Sequence, residues 1–241
     1  MLTMSSGLIE ELDYDIIHDM CEHGLNAWLR TPLTGTKGEF NYLPVNDILG
    51  YAFIKLTGME PRDFFVDRVL APLGIDDSDI GWNDEQHWYP DFCKDSPPAT
   101  NPNLMSGGLL LTAAQMAKIG LLYLAKGASS PEKMVVSSQY IEDSLTEHIM
   151  VEGTSHPPGT SYGYQNWYKL PFEIEVWMTD GAGRQRIIIS PDLKRVAVQQ
   201  LEFPPTIPPD PARVMDEPAI VGMMQPSLSY GKPKDGDIQE W

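Results

Sequence analysis

Basic residues are scarce in this chain. Only 17 Lys and Arg stand against 34 Asp and Glu, a formal net charge of −17 over 241 residues. That balance repels phosphate backbones and anionic membrane surfaces, so neither nucleic acid nor membrane is an expected partner. Cysteine is scarcer still. Cys21 and Cys93 are too few for a disulfide framework, and free thiols or a single bridge both stay open. No apolar run approaches the ~18–20 residues of a membrane span. Met1–Leu8 has no basic stretch leading into an apolar one, as a secretory signal would. What remains is ordinary globular composition, 42% hydrophobic and 10% aromatic, in a chain long enough to bury a sizeable core.

Periodicity divides the chain into a helical part and a strand part. Helical spacing covers Ile9–Leu29, Val45–Leu56, Pro61–Leu70, Thr112–Ala125 and Ser137–His148. Thr112 with Gln115 forms a capping box, Pro61 suits the first helical position, and Gly58 and Gly127 act as stops. Residues 76–103 form a long irregular stretch rich in Asp and Pro, of the kind that often builds a wall or lid of a site. Short β-branched and aromatic runs follow at Tyr162–Tyr168, Glu173–Thr179, Gln185–Ser190 and Arg195–Leu201, separated by turns such as Ser190-Pro191-Asp192-Leu193. Helices first and strands last imply an α+β fold with an antiparallel meander. From Phe203 the chain turns proline-rich with little periodicity, and reads as a loose tail.

Several chemical signals are outweighed by plainer readings. Asp13, Asp15, His18, Cys21 and His23 crowd one stretch, but their spacing matches no zinc pattern and a solvated helix face explains them. Asp76, Asp77 and Asp79 lack the glycine and final glutamate of a calcium loop. No metal and no cofactor is therefore expected. Gly181-Ala182-Gly183-Arg184 begins like a dinucleotide-binding turn, but Ile187-Ile188-Ile189 stands where a helix should start. A strand–turn–strand fits better, and such a turn can still offer backbone N–H groups to an anion. Ser-x-x-Lys, which sets an amine beside a hydroxyl on a helix, occurs at Ser130–Lys133 and Ser229–Lys232. The first follows a helix stop and the second has Gly231 inside it and Pro233 after it, so neither opens a buried helix.

Six blocks in register carry a resemblance. Met1-Leu2-Thr3-Met4-Ser5-Ser6-Gly7-Leu8 is similar to "LLTHTSGL", and Gly38-Glu39-Phe40-Asn41-Tyr42 to "PG..F.Y". Pro72-Leu73-Gly74-Ile75 resembles "PLGM", and Ser106-Gly107-Gly108-Leu109 through Ala117 resembles "GGL.ST..DMA". Tyr162-Gly163-Tyr164 resembles "YGYG.W", and Gly181 to Pro191 resembles "G..GQ.I.V.PD". The blocks are those of serine β-lactamase-like hydrolases of the class C and D-alanyl-D-alanine carboxypeptidase/esterase type.

The resemblance implies a three-layer α/β/α fold with an antiparallel sheet and a helical subdomain. One such domain would span 1–203, with its helical part at about 9–148 and its sheet part at about 160–203, followed by the tail at 204–241. It implies acyl transfer from a small ester or amide through a serine ester. It places Tyr42 at the motif tyrosine, a general base only if neighbouring cations lower its pKa from ~10. Pro44 stands two residues on, where the motif has an asparagine. It places Thr179-Asp180-Gly181 at the third motif, without the usual basic residue, so Asp180 is expected to repel a substrate carboxylate. Thr179, Gly181 and Gly183 are the expected substrate-facing positions. In the family the Ser-x-x-Lys helix lies well ahead of the "LLTHTSGL" block, and this chain starts at that block. The expectation is a domain incomplete at its N-terminus, inactive alone or serving as a non-catalytic binding module. Missing edge strands would also leave an open sheet edge prone to self-association.

Overall fold

The computed structural model describes residues 2–7, 34–42, 46–82, 105, 107–151, 156–165, 167–201 and 217–224. The expected helix at Ile9–Leu29, the acidic and His/Cys stretch within it, both cysteines, most of the 76–103 stretch and Ser229–Lys232 lie outside those residues.

A six-stranded antiparallel sheet organises the molecule: β5 (Ile149–Met150), β6 (Ser161–Tyr162), β7 (Trp167–Lys169), β8 (Trp177–Thr179), β9 (Arg186–Ser190) and β10 (Arg195–Gln199). They follow one another in space as in sequence, a simple meander with β5 and β10 outermost among the described residues. Ile187, Ile188 and Ile189 are all buried because helices cover both faces of β9. One earlier pair of strands, β1 (Gly81–Trp82) with β2 (Leu109–Leu110), and one hairpin, β3 (Ala128–Ser130) with β4 (Lys133–Met134), stand apart from this sheet.

Two helices make the outer layers. On one face α3 (Ala113–Leu124) packs Met116 against Trp167, Trp177, Ile187 and Ile189. On the other α5 (Glu217–Met224) packs Ile220, Val221 and Met224 against Leu170, Val176, Met178 and Ile188. Alternation along the strands assigns the two sets, since neighbours in a strand point to opposite faces. The result is the expected α/β/α arrangement within an α+β fold. Residues 217–224, placed by sequence in the loose tail, thus form an ordered outer layer.

Among the described residues the remaining α-helices are α1 (Asn46–Thr57), α2 (Pro61–Phe65) and α4 (Ser138–Ser144). Pro61 does open α2, but the helix widens into a π turn at Val66–Leu70 and tightens into a 3₁₀ turn at Ala71–Leu73. Phe53 of α1 meets Phe64 edge-on at 5.0 Å, which ties α1 to α2.

The start of α3 is built as its sequence demands. Thr112 Oγ1 accepts from the Gln115 N–H at 3.3 Å, and Gln115 Oε1 accepts from the Thr112 N–H at 2.7 Å. Gln115 Nε2 also donates to the Asp79 carbonyl, tying the helix start to the turn at Asp77–Asp79. Thr112→Ala is expected to cost about 1 kcal/mol, the usual worth of a lost N-cap, read from urea denaturation. A change below a few tenths would show that Gln115 alone holds the helix start.

One strand reading fails. Tyr162–Tyr168 is not one strand but the hairpin β6–β7. Gly163 crosses tightly over the end of α4, and Gln165 takes a left-handed turn conformation at φ 52°. The turn also holds Tyr164, whose ring stacks on His148 at 4.4 Å.

Candidate active site

The opening block is an anchor for the segment that carries Tyr42. Met4 is buried, and its carbonyl accepts from the Asn41 N–H at 2.7 Å. Ser5 accepts from the Gly38 N–H at 3.1 Å, and Leu2 accepts from the Gln165 N–H at 2.7 Å. Residues 2–7 are therefore laced between the 34–42 segment and the β6–β7 turn. Phe40 then wedges edge-on against Tyr162 at 5.2 Å, which delivers Tyr42 to the sheet with its ring 6.5 Å from that of Tyr168.

Tyr168 leads to a charged cluster at the end of β8. His156 stacks on its ring at 4.1 Å, and His156 Nε2 lies 3.4 Å from Asp180 Oδ2. Arg186 Nε donates to Asp180 Oδ1 at 2.9 Å, and Arg184 Nη1 donates to Oδ2 at 3.1 Å. The Arg186 side chain is 1% exposed and that of Asp180 11%, so this pair is desolvated. Arg186 Nη1 also donates to Gln199 Oε1 at 3.4 Å, reaching across to β10. Burial alone would raise the Asp180 pKa. The hydrogen bonds from His156 and Arg186 and the charges of Arg186 and Arg184 override it and hold the carboxyl down at about 2.

This geometry corrects the expectation that Asp180 repels a carboxylate. Its charge is offset by two guanidinium groups, one of them buried against it. Arg184 is 43% exposed and sits in the turn beside Gly183, so the outward face of the cluster presents a cation.

The candidate residues fall in three places. Tyr42 joins Tyr168, His156 and Asp180 on the sheet face that α5 covers further along. Burial raises the Tyr42 pKa and Asp180 adds to it, so the phenol stays protonated at neutral pH and acts as a hydrogen-bond donor. That shift runs opposite to what a basic role requires. Thr179 pairs with Trp167 and shares the α3 face instead. Its Oγ1 accepts from the Ile187 N–H at 2.9 Å, extending the β8–β9 ladder by one bond. Gly181 and Gly183 form the turn between the strands, bridged by Gly181 and Gln185. Gly183 has φ 74°, a left-handed conformation that favours glycine. The Gly181, Arg184 and Gln185 N–H groups are spent inside this turn. Those of Ala182 and Gly183 take no backbone partner among the described residues.

Ser130 and Lys133 are cross-strand partners at the tip of the β3–β4 hairpin, and both are exposed. This is the wrong setting for an activated nucleophile, which needs a buried helix start and a desolvated amine. Among the described residues no group of three or more His, Cys, Asp or Glu could hold a metal ion, and no helix is long and apolar enough to cross a membrane.

His156, Arg184 and Arg186 escape a reading of functional positions from sequence. Arg186 lies in a strand that alternation would let point to solvent, and only Asp180, six residues earlier across the turn, hints at its partner. His156 stands in a Pro- and Gly-rich loop without periodicity.

Solved structures with this fold include an octameric penicillin-binding protein homologue from Pyrococcus abyssi, at 22% identity and TM-score 0.58, covering 82% of this chain and 49% of that one. A penicillin-binding protein homologue from Caulobacter crescentus matches at 16% identity and TM-score 0.54, covering 79% of this chain and 61% of its own. Simvastatin synthase from Aspergillus terreus matches at 14% identity and TM-score 0.51, covering 82% and 60%. The chain thus spans about half to three fifths of the length of these structures. No curated sequence matches it. The family model described as beta-lactamase matches residues 1–198, most of the chain, and so the chain belongs to the beta-lactamase family.

Proposed function

We propose that this chain carries the substrate-facing wall of a serine hydrolase that transfers an acyl group from a small ester or amide. The observation that carries the reading is the convergence of Tyr42 with Tyr168, His156 and Asp180 beside the Gly181–Gly183 turn. Tyr42 would donate to the substrate, the N–H groups of Ala182 and Gly183 would face it, and Arg184 would favour an acyl group with negative charge. Thr179 contributes by holding the strand from the other face.

The chain itself is expected to form no acyl-enzyme. Neither Ser-x-x-Lys motif supports a nucleophile: Ser130 and Lys133 are exposed on a hairpin tip, and Ser229–Lys232 carries a glycine and abuts a proline. Incubation of the 241-residue chain with an activated ester should give no burst, and a fluorophosphonate should leave no covalent adduct by mass spectrometry. An adduct at any serine would overturn this part of the proposal. A Ser130→Ala variant that loses such an adduct would make Ser130 the nucleophile.

The second reading is a non-catalytic binding module with the same fold, and the exposed setting of both Ser130 and Lys133 supports it. Self-association through a sheet edge belongs to that reading.

A further inference from the structure

We propose that Arg184 is a specificity-determining residue, which exchanges Asp180 for a carboxylate of the substrate and so selects half-esters or half-amides of dicarboxylic acids. This rests on the acyl-transfer reading, in which the negative charge belongs to the acyl group, and names the class of that group.

The backbone marks the position. Arg184 has φ 64°, inside the left-handed region that glycine enters freely and arginine does not. It is the last residue of the three-residue loop between the bridged Gly181 and Gln185, and its N–H donates to the Gly181 carbonyl at 3.0 Å. A hairpin loop of that length asks for glycine there. The "G..GQ" block that the turn resembles has glycine at the same place, where this chain has Arg184. Local folding is therefore opposed by this residue, and the reason for it lies in what its side chain touches.

It touches Asp180, and it is the partner on which Asp180 depends least. Arg186 serves both carboxylate oxygens, Nε donating to Oδ1 at 2.9 Å and Nη2 to Oδ2 at 3.5 Å, from a side chain 1% exposed. His156 Nε2 also lies 3.4 Å from Oδ2. Arg184 adds one hydrogen bond, Nη1 to Oδ2 at 3.1 Å, from a side chain 43% exposed. An ion pair as open to solvent as this is weak. Its release leaves Asp180 in the buried pair with Arg186. The guanidinium then offers its fork to a ligand carboxylate, which accepts two parallel hydrogen bonds where Asp180 accepted one.

The surroundings suit a substrate charge. Tyr42, half exposed, borders the same Asp180, so a ligand held by the Tyr42 phenol lies within reach of Arg184. Within the cluster two guanidinium groups stand against one carboxylate, while the chain as a whole carries −17. An outward cation beside the site is thus not what the composition supplies by default. A neutral acyl group gains nothing from it, and a cationic one is repelled.

Equilibrium binding to the 241-residue chain reads this without turnover. The probes are glutaric acid mono-anilide, which keeps one carboxylate, and the methyl ester of the same anilide, which is neutral and of similar shape. By calorimetric titration the wild-type chain should bind the acid about tenfold more tightly than the ester. Arg184→Gly should remove that preference by weakening the acid alone. It should also melt within about two degrees of wild type or above it, because glycine relieves the left-handed backbone. Arg184→Lys keeps the charge without the fork and should retain only part of the preference. Equal affinity for the two probes in the wild-type chain would overturn the proposal, and so would a preference that survives in Arg184→Gly. An Arg184→Gly chain that melts far below wild type would make Arg184 a structural partner of Asp180 and would also overturn it. Tyr42→Phe separates this from the reading beneath. If it weakens both probes while the wild-type chain binds them equally, the wall stands and only Arg184 leaves it. If neither probe binds the wild-type chain, both fall.

Discussion

Asp180→Asn should lower the stability of the fold by about 3 kcal/mol at neutral pH, the range for breaking a desolvated ion pair from one side. The substitution keeps the shape of the side chain and removes its charge. Arg186, 1% exposed, then retains Gln199 and loses the carboxylate that compensates it. For a chain of this length such a loss lowers Tm by roughly 6–12 °C. The pH dependence supplies a second readout. The Asp180 pKa is depressed from 3.8 to about 2, so the unfolded chain takes up this proton first as the pH falls. The stabilisation is fully present above about pH 4 and drains away as the pH falls through about 2. A shift of that size corresponds to roughly 2–3 kcal/mol, good only to order of magnitude. The gap between wild type and variant should therefore shrink by about that amount between pH 5 and pH 2 in urea denaturation. A gap that is constant with pH would mean that the carboxylate's charge is not what stabilises Arg186. The variant also removes one of the two causes that raise the Tyr42 pKa, so the phenol should titrate at lower pH.

How much of this was legible beforehand depends on where each signal is stored. The α3 start was legible because a capping box is local: Thr112 and Gln115 satisfy each other's backbone groups within one turn. The β9–β10 hairpin was legible because the turn Ser190-Pro191-Asp192-Leu193 joins two β-branched runs. α5 was not. It is short and apolar around most of its circumference, so no period marks its buried face, and it follows a proline-rich run. Tyr42 was found through resemblance alone, since nothing local sets it apart from other tyrosines. The Asp180 cluster was half legible. Asp180 and the glycines beside it were picked out, but its partners arrive by a turn from β9 and by a loop carrying His156. A charge judged without partners looked repulsive, and the partners reverse that conclusion. Long-range pairing decided the electrostatics, and a single sequence does not display it.

Gly163→Ala should be as damaging as Asp180→Asn for a purely steric reason. Gly163 lies in the "YGYG.W"-like block, yet its φ is not left-handed, so backbone strain is not the cause. A Cβ built there would lie 2.0 Å from the Ser144 carbonyl oxygen and 3.2 Å from both Ser144 C and Trp177 Cζ3. Ordinary C···O contact is about 3.3 Å, so more than an ångström must be found. Neither side can supply it cheaply. Ser144 closes α4, is 1% exposed, and its carbonyl accepts from the Tyr164 N–H at 3.0 Å. Trp177 is 1% exposed in the core under α3. The β6–β7 turn must move away from α4, carrying Tyr162 and the Gln165–Leu2 bond with it. The expected loss is about 3 kcal/mol, at the upper end for overpacking. Gly222→Ala is the control: nothing lies within 4 Å of its Cβ, and it sits inside α5, where alanine is favoured by up to about 1 kcal/mol. The two Gly→Ala changes should thus shift Tm in opposite directions. A Gly163→Ala chain that melts within a degree or two of wild type would show that β6–β7 and α4 are not in contact as described. The opening block, which bonds to that same turn, would then lose one of the two anchors that position Tyr42.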